Sequence, residues 1–200
     1  MRHPLDFLPV EHHKRIFLTS LALTLILFAV FRTLDAPLQT DAAPNGIVSL
    51  ELAGNEQAAR LITDSWKQMS LLLSAVAGQP NPDIVNVPYV YAAFGLGIDY
   101  LFMPIYALTL ASGTLLVASK HSGRMKSLGA LAGYAAFAAA LFDAVENYAL
   151  FRVLLGIFDP GDPALAAFCA ILKFGLITFS GLYALVGWLS PPNRQEAVAN

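Results

Sequence analysis

Seven ionisable side chains stand inside long apolar stretches of this sequence, or at their ends. They are Arg32, Asp35, Asp99, Asp143, Glu146, Arg152 and Lys173. Because a charged group is costly in lipid, such residues usually face the interior of a helix bundle and mark a functional site. Carboxylates that share a dry site separate in pKa, and a nearby amine keeps one of them ionised. The set therefore favours general acid–base chemistry or the binding of a charged ligand.

The candidate site combines carboxylates, an amide, an amine and aromatic rings. Glu146 and Asp143, on adjacent turns of one helix, are the expected catalytic acid and base, with Asp99 as their electrostatic partner. The expected ligand-binding residues are Lys173, Asn147, Tyr106, Tyr100, Phe102 and Asp35. Because the rings would suit a hydrophobic ligand or stabilise a cationic one, the predicted ligand is lipid-like or amphiphilic.

Two other interpretations of these charges stay open. They could be ion pairs and hydrogen bonds that fix helix order, or they could relay protons or ions across the membrane. A relay needs a continuous polar path, and the positions below Tyr106 and Thr109 are mostly glycine, alanine and aliphatic residues. The sequence leaves enzymatic, ligand-binding, transport and structural roles in play.

The depths of the charges, counted from flanking basic residues, agree with one another. Asp99 lies 21 residues from Lys120, and Glu146 lies 20 residues from Lys126. At about 1.5 Å per helical residue, both carboxylates lie about 30 Å from the flanking charge. The same count places Asp35, Asp143 and Lys173 between about 25 and 31 Å. The charges therefore form one predicted layer near the outer edge of the hydrocarbon core.

The elements that must position this layer are long apolar helices. Of the 200 residues, 56% are hydrophobic and only 13% are charged, with a mean hydropathy of +0.59. Four stretches are long enough to cross a hydrocarbon core of about 30 Å: 16–32, 88–118, 128–158 and 164–189. The first could instead be a cleaved signal peptide, but Arg32 directly follows its apolar core (16–31), which predicts an uncleaved anchor. The sequence thus predicts one all-α domain over 1–200, a polytopic membrane protein with four helices in an up-down bundle.

The distribution of charge in the loops predicts the orientation. Arg2, Lys14 and Arg15 precede the first helix, and further basic residues lie in the connection 119–127. The long loop 33–87 instead carries six acidic and two basic residues. By the positive-inside rule, both termini (1–15 and 190–200) are cytoplasmic, whereas 33–87 and the turn 159–163 are extracytoplasmic.

The long loop contains predicted structure of its own. Between the helix cap Asn55 and the stop signal Gly78, apolar residues recur at helical spacing, which predicts an amphipathic helix over 55–77 that caps the bundle. Residues 47–52 alternate in polarity and predict a short extended stretch. Residues 79–88, with three prolines, predict an irregular return into the second membrane helix.

Several function classes are disfavoured. A net charge of −2 gives no basis for nucleic-acid binding. His3, His12 and His13 lack a partner at metal-ligand spacing, and no cofactor motif is present, so neither a metal nor a cofactor is expected. The single Cys169 lies within the fourth helix and predicts no disulfide. Homo-oligomerisation stays open.

Three motifs carry a family resemblance: LELAG at 50–54, DYLFMPIY at 99–106 and DAVEN at 143–147. In them the chain resembles small four-helix integral proteins of the bacterial inner membrane, which implies that localisation. It is more weakly similar in layout to the emopamil-binding-protein and sigma-2-receptor (EXPERA) superfamily. That resemblance implies a membrane pocket for sterols or cationic amphiphiles, with isomerase-like chemistry, around Asp35, Asp99, Asp143 and Glu146. Lys173 has no counterpart in that family.

Overall fold

The computed structural model describes residues 1–76, 87–157 and 159–190, and its regular secondary structure consists of helices joined by short irregular segments. The helices are α1 (Val10–Asp35), α2 (Ile47–Glu51), α3 (Glu56–Val76), α4 (Val87–Ala118), α5 (Gly123–Leu155) and α6 (Asp162–Leu189), with a 3₁₀ turn at Ala36–Leu38. No strand occurs in these ranges apart from an isolated bridge between Thr40 and Ala43. The predicted all-α fold class is confirmed.

Four of the helices, α1, α4, α5 and α6, are long and apolar enough to cross a membrane. The shortest, α1, has 26 residues and is therefore about 39 Å long, more than a hydrocarbon core requires. It begins six residues before the predicted start. Proline is tolerated at a helix start, and an acidic side chain is favourable in the first turn, so Pro9 and Glu11 explain the earlier beginning.

The chain forms two compact units, each made of several segments. Unit 1 contains Met1–Ile26, Phe102–Leu141 and Leu172–Asn200, and unit 2 contains Leu27–Leu101 and Phe142–Ile171. Each of the four long helices, α1, α4, α5 and α6, is therefore divided between the two units. The two are described separately below.

In unit 1 the N-terminal segment is packed rather than extended as a tail. Leu5 joins a buried cluster with Ala111, Leu115 and Ala136, and His3 is also buried. Small residues allow this close packing: a Cβ added at Gly133 would overlap the His3 ring. Likewise, a Cβ at Gly129 would lie 2.6 Å from the Cβ of Ala118 and would also meet the Tyr183 side chain.

The core of unit 2 centres on Trp66 of α3, which is fully buried. Its Nε1 donates a hydrogen bond of 2.8 Å to the Leu38 carbonyl, and its ring meets that of Tyr89 edge-on. The predicted amphipathic helix is confirmed as α3. Its predicted cap is confirmed as well, because Asn55 Oδ1 accepts a 2.9 Å hydrogen bond from the Ala58 amide.

The extended stretch predicted for 47–52 is wrong, because Ile47–Glu51 forms the short helix α2. Gly46 precedes it with φ +55°, a conformation that favours glycine. Asp35 Oδ1 then accepts a 2.8 Å hydrogen bond from the Ile47 amide at the start of the helix. A tertiary contact with the end of α1 thus decides the local structure. The predicted stop at Gly78 and most of the irregular return predicted over 79–88 lie outside the described residues, whereas Val87 and Pro88 belong to α4.

Candidate functional site

A hydrogen-bonded group joins α4 and α5 inside unit 2. Asn147 Nδ2 donates to Asp99 Oδ2 at 2.9 Å and to the Leu96 carbonyl at 3.2 Å. One turn away, the Tyr100 hydroxyl donates to the Ala144 carbonyl at 3.3 Å. These three bonds connect residues about 50 positions apart in the sequence and fix the register of the two helices in this unit.

Two further carboxylates lie on α5 beside this group. Asp143 is 3% exposed, and Glu146 and Asn147 are both 0% exposed. Asp143 and Asn147 are four residues apart and therefore share one helix face, while Glu146 directly precedes the amide. We call Asp99, Asp143, Glu146 and Asn147 the acid–amide cluster. The structure thus brings together the three predicted catalytic carboxylates and the predicted orienting amide within one unit.

One atom of the Asn147 side-chain amide, Oδ1, has no hydrogen-bond donor in the described part of the chain. Both of its hydrogen bonds to acceptors use Nδ2, which fixes the orientation of the amide. Its Oδ1 is buried and accepts no hydrogen bond from the part of the chain that the structure describes. Buried polar atoms are nearly always paired, and an unpaired one costs about 1–3 kcal/mol. Oδ1 can therefore accept a hydrogen bond from a donor outside the described chain, such as a bound molecule or a water.

Asp35 also lies in unit 2, but its carboxylate contacts the loop that follows α1. Its carboxylate binds the start of α2 and occupies the space that a side chain at position 46 would need. Asp35 thereby holds the start of α2 against the end of α1. Its predicted contact with a ligand stays a prediction.

The remaining predicted site residues belong to unit 1. Lys173 is buried, and its Nζ lies 4.8 Å from the centroid of the Phe174 ring. Tyr106 is buried as well, and its ring centroid lies 5.2 Å from that of Phe102. The predicted contribution of Lys173, Tyr106 and Phe102 to the same pocket as the carboxylates stays a prediction.

Sequence reasoning missed an ionic clamp at the turn between α5 and α6. Arg152 lies in the last turn of α5, where a side chain can extend to the membrane surface. Its Nε donates to Asp162 Oδ2 and its Nη2 donates to Asp159 Oδ2, both at 2.8 Å. The Asp159 amide also donates to Asp162 Oδ2 at 2.8 Å. The spacing of the two aspartates around the turn was the available signal.

A surface groove in unit 2 was also missed. It has a volume of about 820 Å³ and lies between α3 and the segment that precedes α2. Across it, the hydroxyls of Thr40 and Ser65 are 2.8 Å apart and form a hydrogen bond. Its other lining residues include Asp41, Asp64 and Gln68. No residue in it carried a recognisable motif.

The functional groups of the acid–amide cluster are carboxylates and one amide. Within the described ranges, no three His, Cys, Asp or Glu side chains group in a way that could hold a metal ion. Comparison of the chain with protein-family models, with curated proteins and with solved structures finds no match.

Proposed function

We propose that this integral membrane protein binds a lipid-like or amphiphilic molecule, whose polar head donates a hydrogen bond to the acid–amide cluster. The observation that carries the proposal is the buried Asn147 Oδ1, which accepts no hydrogen bond from the described chain. The neighbouring carboxylates are acceptors when ionised, so a suitable head brings N–H or O–H groups. A protonated amine or a hydroxyl meets that requirement.

The membrane setting supports an amphiphile over a water-soluble ligand. The cluster lies on α4 and α5, two of the four helices apolar enough to span a membrane. Tyr100 and Tyr148 flank it on these helices and are both exposed. A molecule with an apolar body can lie against such side chains while its head reaches the buried amide.

Acid–base chemistry is the reaction that this cluster would support. A buried carboxylic acid can donate a proton to a bound molecule while a neighbouring carboxylate accepts one, which moves a double bond without any cofactor. In this proposal Glu146 or Asp143 exchanges the proton, Asp99 sets the electrostatic environment and Asn147 orients the head.

A second candidate is a structural role for the cluster, and the bond between Asn147 and Asp99 favours it. An interhelical hydrogen bond inside a membrane is worth about 1–2 kcal/mol in peptides and less in proteins. Such a bond could serve only to pair α4 with α5.

The distinguishing experiment is native mass spectrometry of the full-length protein purified in mild detergent, with lipid analysis of what co-purifies. The variants are Glu146→Gln and Asn147→Leu, and the control is Ser180→Ala, which removes a fully buried hydroxyl of unit 1. We expect a molecule to co-purify with the wild type and the control but to be reduced at least about tenfold in both cluster variants, since one lost hydrogen bond to a charged or buried group costs about 1.5–3 kcal/mol. Equal retention by all four proteins, or no bound molecule in any, overturns the ligand proposal. Unfolding of Asn147→Leu, with full retention in Glu146→Gln, supports the structural role instead.

We also propose that both termini are cytoplasmic in a bacterial inner membrane. The charge of the two units supports this orientation. The described part of unit 1 has seven basic side chains against two acidic ones, whereas that of unit 2 has four basic against ten acidic. Cytoplasmic ends are the basic ones by the positive-inside rule. A topology reporter fused after residue 200 that signals from the outer side would refute the assignment.

A further inference from the structure

The described part of unit 1 exposes six basic side chains and two acidic ones, Asp6 and Glu11. We call Arg2, Lys14, Arg15, Lys120, Arg124 and Lys126 the basic end, and all six are exposed. None of them forms an ion pair with a carboxylate in the part of the chain that the structure describes. By contrast, the exposed Arg60 and Lys67 of unit 2 are each paired with an acidic neighbour, at 2.8 and 3.0 Å.

Contacts within unit 1 place five of these residues, those on α1, on α5 and on the connection between α4 and α5, at the same end of these helices. Phe17 of α1 lies beside Gly113 of α4, and Ala118 of α4 lies beside Gly129 of α5. Counting about 1.5 Å per residue from these crossings, the basic residues of α1, of α5 and of the α4–α5 connection fall within about 12 Å along the helix axes. This spread exceeds the thickness of a lipid headgroup layer, about 5–8 Å on each side of the hydrocarbon, by about 4–7 Å, which long lysine and arginine side chains can bridge.

The α4–α5 connection is held against the end of α6. His121 Nε2 forms a 3.0 Å hydrogen bond with the Gly187 carbonyl, and the Tyr183 hydroxyl donates to the Met125 carbonyl at 2.9 Å. Lys120 on this connection, and Arg124 and Lys126 in the first turn of α5, are therefore carried on a fixed backbone. Fixed charges lose less conformational entropy on binding than charges on a free tail.

Exposed apolar side chains lie next to the basic end, on the side of the predicted hydrocarbon core. Trp188, in the last turn of α6, is 70% exposed, and Leu128 and Leu131 are exposed in the first turns of α5. Exposed tryptophan is typical of the boundary between hydrocarbon and headgroups. A lipid whose chains lie along these apolar faces would have its phosphate at the level of the basic side chains.

We propose that the basic end of unit 1 binds the phosphate headgroups of anionic membrane lipids. The ligand is a lipid and not free phosphate or nucleic acid, because the cationic groups are continuous with an apolar, helix-borne surface. The proposal does not depend on the acid–amide cluster, which lies in the other unit. It therefore stands or falls separately from the proposed amphiphile site.

The test measures lipid binding to the full-length protein in a neutral detergent by native mass spectrometry. The probes are phosphatidylglycerol and phosphatidylcholine with identical acyl chains, so that only the headgroup charge differs. The variant is Lys120→Gln/Arg124→Gln/Lys126→Gln, and the matched control is Arg60→Gln/Lys67→Gln, which removes exposed charges from unit 2. Circular dichroism checks that both variants are folded.

Each basic residue near an anionic surface changes affinity about fivefold, so three of them change it on the order of 100-fold. We expect the wild type and the control to prefer phosphatidylglycerol, and the triple variant to lose most of that preference. High salt should reduce the preference, because exposed charges are screened. Equal binding of the two lipids by the wild type, or equal loss in the control variant, overturns the proposal. Displacement of bound phosphatidylglycerol by inorganic phosphate alone would overturn the lipid assignment in favour of a free phosphate site.

Discussion

Acidification should release the N-terminal segment from α4 and α5, because His3 is docked against these helices as a neutral ring. The side chain is 6% exposed. Its Nδ1 accepts a hydrogen bond from the Leu5 amide at 3.1 Å, and its Nε2 lies 3.1 Å from Thr114 Oγ1. The Thr114 hydroxyl itself donates to the Ala111 carbonyl, so it accepts from Nε2–H. Both ring nitrogens are thus used by the neutral tautomer, and a second proton on Nδ1 would break the bond to Leu5.

The size of the effect follows from the pKa. Burial lowers the pKa of His3 from 6.5 to about 4, against the opposing influence of Asp6 and with a smaller lowering from His13. The docked state therefore binds fewer protons than the released state, and its stability rises with pH. Docking is fully stable above pH 6.5, weakens as the pH falls from 6.5 to about 4, and is constant below that. At 1.36 kcal/mol per pKa unit the total loss is at most about 3 kcal/mol, of which about 2 kcal/mol has occurred by pH 5.

Hydrogen exchange measured by mass spectrometry on the N-terminal peptide tests this prediction. After correction for the intrinsic pH dependence of exchange, protection of residues 3–8 should fall about 20-fold between pH 7 and pH 5, which is the same free energy expressed as an equilibrium constant. His3→Gln should remove most of this pH dependence, because glutamine does not titrate. His12→Gln, which changes an exposed histidine, should leave it intact. Protection in the wild type that is independent of pH, or that falls equally in His3→Gln, would refute the reasoning.

Two predictions concern stability, and both are checked by thermal unfolding in detergent. Gly129→Val should destabilise the protein by about 1–3 kcal/mol through overpacking against α4, whereas Gly181→Ala, where a Cβ meets nothing within 4 Å, should have little effect. Equal melting temperatures for these two variants would contradict the close approach at Gly129. Asp162→Asn should lower the melting temperature more than Asp159→Asn, because Asp162 is the less exposed of the two and its Oδ2 accepts from both Arg152 and the Asp159 amide. A larger decrease in melting temperature for Asp159→Asn would contradict this, because it would mean that the exposed Asp159 contributes more to the ion pairs with Arg152.

The sequence was sufficient for features that depend on local composition. Hydropathy over about 20 residues predicted all four membrane helices, since the length required to cross the hydrocarbon is itself a local property. The amphipathic helix α3 and its Asn55 cap were predicted for the same reason: helical spacing and a capping side chain act within a few residues. The predicted positions of the helix ends were less accurate, as for the start of α1. Polar or weakly apolar flanking residues can extend a helix without changing its hydropathy pattern.

Tertiary structure decided which residues meet. The sequence predicted that Asp99 and Asn147 belong to one site. Only the packing of α4 against α5 shows that the amide donates to the carboxylate and to the Leu96 carbonyl, while Oδ1 accepts no hydrogen bond from the described chain. Residues 47–51 form a helix instead of an extended stretch, and the amide at its start donates to Asp35, twelve positions earlier. His3, predicted to lie in a tail, is buried against a threonine 111 residues away. Periodicity reveals which face of a helix is buried, but the partner on the other side of that face is fixed only when distant segments pack together.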